Sequence, residues 1–199
     1  YDRFERDDYG YDTVKTYEYA TQSDFNTNSV DSRYRTSTQD FYNDNYYHAH
    51  LKKRDRVSKG NAYVETRYTY ADADLVDGHY LGGGTPAWCE GDGWPAVAVE
   101  ESFHNEGTGG TIATKREYTY GSFGNIADVA DFGDIADPSD DYTVHIDYAL
   151  DPARYIVANV SVLDIPGYRH REATYSTEGS LEKLFVDNSP NPQSVFFYE

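Results

Sequence analysis

Tyr63-Val64-Glu65-Thr66-Arg67-Tyr68-Thr69-Tyr70 decides the fold. Bulky and charged side chains trade places at each step, which is the period of a half-buried strand. The octet closes on Arg67-Tyr68-Thr69-Tyr70, a phrase that returns as Thr16-Tyr17-Glu18-Tyr19 and Glu117-Tyr118-Thr119-Tyr120. Weaker echoes end at Tyr42, Tyr148, Tyr175 and Tyr198. From one anchor to the next the gap is roughly 23–28 residues, or about twice that, a period typical of stacked supersecondary units rather than one ordinary core. The repeat anchors are therefore Tyr19, Tyr42, Tyr70, Tyr120, Tyr148, Tyr175 and Tyr198, each expected to end a strand and open a turn.

The same alternation runs through Thr143-Val144-His145-Ile146-Asp147-Tyr148 and through residues 155–162. Turn signals separate such runs: Asp77-Gly78, Gly82-Gly83-Gly84, Gly91-Asp92-Gly93, Gly107 to Gly110, Gly124-Asn125 and Glu178-Gly179. Residues 180–185 suit a strand at least as well as a short helix. Two regions interrupt the period. Residues 20–35 are polar and predict a loop. Residues 78–110 hold most of the glycines and both tryptophans, and predict a loop insertion around a short strand, Ala96-Val97-Ala98-Val99. The predicted class is all-β, built from antiparallel repeats.

Composition supports a folded chain. Leu, Ile, Val and Phe supply only about 18% of residues and the net charge is -18, a pairing that usually signals disorder. Disordered segments are poor in aromatics, whereas this chain has 21 tyrosines. Tyrosine takes over as the packing residue, with a large apolar ring and a hydroxyl that needs a partner. The acidity argues against a nucleic-acid partner, because phosphate neutralisation needs clustered cations. The one basic cluster, Lys52-Lys53-Arg54-Asp55-Arg56, has an acid inside it and predicts a solvated strand or turn. No apolar run approaches a membrane span. The chain contains no methionine and is expected to be a piece of a longer protein, with any targeting signal elsewhere. Cys89 has no internal partner and no cationic neighbourhood to activate it.

Residues with metal or catalytic potential form no clear constellation. In residues 126–137 an acid recurs at every third position; a calcium loop, a helix and a strand-turn-strand are the competing readings, the helix disfavoured because it stacks Asp on Asp along one face and the last suggested by Gly133-Asp134. Asp72-Ala73-Asp74-Leu75-Val76-Asp77-Gly78 fails the EF-hand pattern, since Gly83 stands at the twelfth place. His48 and His50 would share one strand face but lack a third ligand. No nucleophile elbow, zinc-protease helix or phosphate loop occurs. The expectation is a chain without catalytic residues, metal or cofactor.

Tyr1-Asp2-Arg3-Phe4-Glu5-Arg6, followed by Tyr9-Gly10-Tyr11-Asp12-Thr13-Val14, resembles the entry to the RHS region of SpvB/TcdB-type toxin-complex proteins. Asp40-Phe41-Tyr42-Asn43-Asp44 and Leu51-Lys52-Lys53-Arg54 are similar to that family's aromatic strand and Leu-Lys-Gly-Arg turn, with Lys53 where glycine is usual. Arg67–Tyr70 and Glu117–Asn125 resemble RHS/YD repeats, whose core phrase is Tyr-x-Tyr-Asp-x-x-Gly-Asn. The family-signature residues are Tyr1, Asp2, Phe4, Glu5, Arg6, Gly10, Gly124 and Asn125. The resemblance spans most of the chain except 20–35 and 78–110. Departures are Gly121 where the phrase has Asp, a single Gly-Asn turn, and no aspartyl autoprotease block or effector in this stretch.

The resemblance implies that residues 1–199 are one segment of a coiled β-sheet shell. It implies a secreted or cell-surface protein and, as partners, the remaining shell, an encapsulated toxin or effector polypeptide and other toxin-complex subunits. The residues leave a second function open, an extracellular adhesin or carbohydrate-binding module using Tyr80, Trp88 and Trp94.

Overall fold

The computed structural model describes residues 10–43, 48–74, 80–81, 93–121, 123–186 and 194–197. The strands are β1 (Thr13–Tyr19), β2 (Arg33–Tyr42), β3 (Leu51–Lys59), β4 (Ala62–Asp74), β5 (Tyr80–Leu81), β6 (Gly93–Asn105) and β7 (Thr111–Tyr120). They continue as β8 (Ile126–Asp134), β9 (Tyr142–Asp151), β10 (Ile156–Ile165), β11 (Arg169–Tyr175), β12 (Leu181–Val186) and β13 (Ser194–Phe197). One short helix, α1 (Gln22–Thr27), and three single 3-10 turns complete the described elements.

The protein is all-β. Strand order in the sheet follows chain order from β1 to β13, except that β5 pairs with β4 off that path. Neighbours pair antiparallel, as in β2 with β3, β3 with β4, β8 with β9 and β10 with β11. Short turns join most of these strands, so each pairs first with its sequence neighbour. The chain divides into two compact units. The first holds β1 to β3, β4 as far as Ala71, and β6 from Trp94. The second holds residues 116–132 and 139–199, and so most of β8 and all of β9 to β13.

Little is fully buried. Among the described residues the buried apolar side chains are Ala71 and Ala96, and the buried polar ones are Glu65 and Asp131. The strands instead present half-buried Tyr, Val and Thr, the residue types that suit a pleated surface.

The structure departs from the sequence expectation in five places. Residues 20–35 are not a loop: they hold α1, a 3-10 turn at Val30–Ser32 and the start of β2. Thr21 caps α1 by accepting from the Asp24 N–H at 3.1 Å, while the Asp24 carboxylate accepts from the Thr21 hydroxyl at 2.6 Å. This is a reciprocal N-terminal cap. Asn28 ends the helix in the left-handed region at φ 45.

In 78–110 the strand is far longer than Ala96–Val99, running Gly93–Asn105. In 126–137 the strand continues through Gly133, whose φ of 45 is accommodated without a reversal, and ends at Asp134. His48 and His50 lie in a turn rather than on a strand, with His50 at φ 68. The strand expected from Tyr155 begins at Ile156, because Tyr155 takes φ 60 to cap a 3-10 turn. The strand reading of residues 180–185 agrees with β12, which runs Leu181–Val186.

Candidate functional site: tyrosine latches and charged faces

The anchor tyrosines reach across to neighbouring backbone. Tyr70 on β4 donates its hydroxyl to the Lys52 carbonyl on β3 at 3.0 Å. Tyr42 on β2 donates to the Tyr68 carbonyl on β4 at 3.3 Å, spanning the width of β3. Its ring meets the Tyr70 ring edge-on, centroids 5.8 Å apart. In the second unit Tyr148 on β9 donates to the Ile126 carbonyl on β8 at 2.9 Å, and Tyr175 on β11 to the Val160 carbonyl on β10 at 2.7 Å. Tyr19 donates instead to the Asn28 side chain at 2.6 Å and packs edge-on against Phe25 at 5.6 Å, holding α1 to β1.

Burial raises the ionisation range of the Tyr70, Tyr148 and Tyr175 hydroxyls above the ordinary phenol value. They stay protonated and donating. Each such bond contributes about 0.5–1.5 kcal/mol net.

Tyr19, Tyr42, Tyr120 and Tyr175 are the last residues of their strands. Tyr70 and Tyr148 lie inside β4 and β9, so those two do not mark a strand end as expected. Tyr198 lies outside the described residues. Register shifts fall beside several latches: between Glu18 and Tyr19, between Asp40 and Phe41, and between Thr174 and Tyr175. A further shift between Val160 and Val162 coincides with the carbonyl that Tyr175 engages. A bulge disrupts the ladder locally, and here a phenol takes up a carbonyl at the disruption.

Two turns share one geometry. After Tyr120, the Gly121 N–H donates to the Asn125 carbonyl and the Gly124 N–H to the Gly121 carbonyl. After Tyr175, the Ser176 N–H donates to the Ser180 carbonyl and the Gly179 N–H to the Ser176 carbonyl. Gly124 and Gly179 hold φ 76 and φ 86, the left-handed conformation this loop needs at its fourth residue. A Cβ on Gly179 would lie 2.8 Å from Ile156 Cδ1. Ser176 Oγ also accepts from the Glu178 and Ser180 N–H groups. The Asn125 side chain donates to the Val157 carbonyl, and the Asn159 side chain to the Gly179 carbonyl at 3.1 Å. Glu178-Gly179 marked the second turn in the sequence, but its likeness to the first was hidden because Ser180 stands where the first has Asn125; the shared Tyr-x-x-x-Gly spacing was the available signal.

Of the other signature residues, Gly10 holds φ 80, and a Cβ there would lie 2.8 Å from the His50 ring. Tyr1, Asp2, Phe4, Glu5 and Arg6 lie outside the described residues, as do Cys89 and Trp88. Trp94 and Tyr80 are placed on β6 and β5, with side chains outside the described residues.

Charged faces complete the geometry. In the first unit Glu65 is fully buried. Arg67 Nη2 lies 2.6 Å from one of its oxygens, with Arg56 Nη1 at 3.0 Å and Arg54 Nη1 at 3.9 Å from the other. Arg54 also pairs with Asp40 at 2.6 Å, and Arg56 and Arg67 stack over Tyr63 and Phe103. Desolvating a carboxylate this far is tolerable only with such pairing. The basic cluster of the sequence is thus strand β3, with two of its arginines turned to Glu65.

In the second unit Asp131 pairs with Arg116 at 2.7 Å and accepts from Tyr142, whose phenol is raised chiefly by that bond. Asp128 engages Thr119 and His145 instead. The acids of residues 126–134 therefore separate to different partners rather than converging on a cation. Among the described residues no group of three or more His, Cys, Asp or Glu is arranged to hold a metal ion. No helix among them is long and apolar enough to cross a membrane.

A depression of about 190 Å³ lies beside the first turn, bounded by Phe123, Ala127, Ile146 and Tyr148. It is smaller than a usual small-molecule site. No protein-family model matches the chain, and no curated protein matches it.

Proposed function

We propose that this chain is a structural, non-catalytic segment of an RHS-type shell that encloses a toxin or effector polypeptide. The observation that carries it is the recurrence of a strand-ending anchor tyrosine followed by the same five-residue glycine turn at Tyr120–Asn125 and Tyr175–Ser180, with Tyr175 also latched across to the Val160 carbonyl. Three further features support it. The strands are laid side by side in chain order. The strand faces are polar and half-buried rather than closed over one thick core. In the second turn, Ser176 occupies the place of Asp in the repeat phrase and, as a short side-chain acceptor, bonds two turn N–H groups.

On this proposal the protein is secreted or surface-exposed. Its partners are the rest of the shell, the enclosed polypeptide and other toxin-complex subunits.

The test is limited proteolysis of the full-length protein that contains this stretch. A polypeptide of the same protein should survive digestion while the shell is folded and be cleaved once urea opens it. A full-length protein that protects no polypeptide, or one whose C-terminal region is cut as fast as when expressed alone, overturns the proposal.

A further inference from the structure

One row of opposed residues crosses four strands of the second unit. Asp128 on β8 pairs with His145 on β9, His145 with Asp164 on β10, and Asp164 with His170 on β11. Directly opposed residues share a face of the sheet, so the row reads Asp-His-Asp-His. Two residues further along their strands, Asp147 and Glu172 add carboxylates to the same face. Both are opposite or adjacent to Val162, which pairs with each of them.

The contacts are short. His145 Nδ1 lies 2.7 Å from Asp128 and its Nε2 lies 3.4 Å from Asp147. His170 Nδ1 lies 2.9 Å from Asp164 and its Nε2 2.9 Å from Glu172.

A neutral imidazole has one N–H donor and one acceptor nitrogen, whereas an ionised carboxylate only accepts. Each ring here meets a carboxylate at both nitrogens, so the geometry is satisfied only when both rings carry two protons. We infer that the row is a proton-operated clasp, in which charged imidazoles tie β8 to β9 and β10 to β11 and their deprotonation loosens those two strand pairs.

With both rings charged, two cations sit among four carboxylates. With both neutral, the four carboxylates remain and each ring can donate to only one of them.

Other groups face the row from the flanking elements. From β7, Thr119 donates to Asp128 at 2.8 Å, and Glu117 lies two residues before it on the same side of that strand. From β12, Lys183 pairs opposite Thr174, two residues beyond Glu172 on β11, and so shares the face. Tyr168 lies in the turn before β11.

Both imidazoles are raised above their ordinary value of 6.5, His145 chiefly by its hydrogen bond to Asp128 and His170 chiefly by its bond to Glu172. Asp128 is held below its ordinary 3.8, first by His145 and then by Thr119. A raised histidine contributes stability that is complete below 6.5 and is lost as pH climbs through the folded-state value. The lowered Asp128 contributes above 3.8 and loses that contribution as pH falls through its own folded value. The clasp is therefore fullest in mildly acidic solution and opens on the alkaline side.

The experiment follows the imidazole Cε1–H signals and the amide exchange of the folded chain by NMR between about pH 5.5 and 9. Both rings should titrate above 6.5. Protection of β9 to β11 amides, corrected for base-catalysed exchange, should fall through the same range, by about tenfold for each unit of upward shift. Amides of β2 to β4 should show no such step. A His145→Gln/His170→Gln chain should begin at the loosened level and show no step. Rings that titrate at or below 6.5 overturn the inference, as does a pH step that is missing from the unsubstituted chain or persists in the double variant.

Discussion

The first unit gathers three arginines around one buried carboxylate; the second keeps a single buried Asp131–Arg116 pair and, in the row across β8 to β11, sets half-wet carboxylates against histidine. Glu65 has no exposed side-chain surface and meets Arg54, Arg56 and Arg67. Asp128 and Asp164 keep 41% and 36% of their side-chain exposure and meet His145 and His170. The contrast follows from desolvation. A carboxylate removed from water needs a partner that never loses its charge, and the guanidinium is that partner. A carboxylate still partly hydrated can be left with an intermittent cation. One sheet thus carries a permanent ionic cluster and a titratable one.

Substitutions test that contrast, and the largest loss is expected at Glu65. Glu65→Ala strips the first unit of its shared acceptor and leaves three arginines facing one another. The expected loss is about 3 kcal/mol, the low end for breaking a buried pair, since the arginines are themselves half-exposed. Urea unfolding monitored by exchange of β3 and β4 amides measures it, and a loss below about 1 kcal/mol would show that Glu65 does not organise the cluster.

Gly179→Ala forces an L side chain to φ 86 and against Ile156. About 1–2 kcal/mol should be lost, read as a lower urea midpoint with β11 and β12 exchanging first. An unchanged midpoint would mean that the turn geometry shared with Tyr120–Asn125 is not required there.

Tyr175→Phe and Tyr70→Phe each remove one hydroxyl bonded to a carbonyl, one in each unit. Each should cost about 1 kcal/mol. If only one of the pair responds, the latches are not equivalent devices.

Thr21→Ala removes the cap of α1, with an expected cost of about 0.5–1 kcal/mol. Faster exchange should be confined to the α1 amides. Spread into β2 would contradict a purely local role.

Alternation and glycine placement made the strands legible, because a strand's period and a turn's φ are local properties. The helix α1 was hidden because its residues, Gln22 to Thr27, form no apolar stripe; the Thr21-x-x-Asp24 cap was its only mark. The length of β6 was masked by Gly93 and Pro95, which punctuate most sequences but here begin a strand. Gly133 suggested a reversal, yet a positive φ can be absorbed within a continuing strand. The candidate sites were the least legible part. Glu65 looks like any other alternating acid, and its burial depends on which strands flank it. The row from Asp128 to His170 exists only once the register of β8 to β11 is fixed, and register is a property of pairs rather than of any one stretch. The tyrosine period was visible, but the carbonyl that each phenol selects was not.

Strand order that follows chain order has a consequence for how the molecule is made. Synthesis delivers about 5–20 residues per second, whereas a hairpin closes in about 1–10 μs. A strand such as β3 therefore has its partner β2 already outside the ribosome and ample time to pair before β4 emerges. The sheet can be laid down strand by strand from the N-terminal side, with Tyr70, Tyr148 and Tyr175 fastening onto backbone made before them, while Tyr42 waits for the Tyr68 carbonyl of β4.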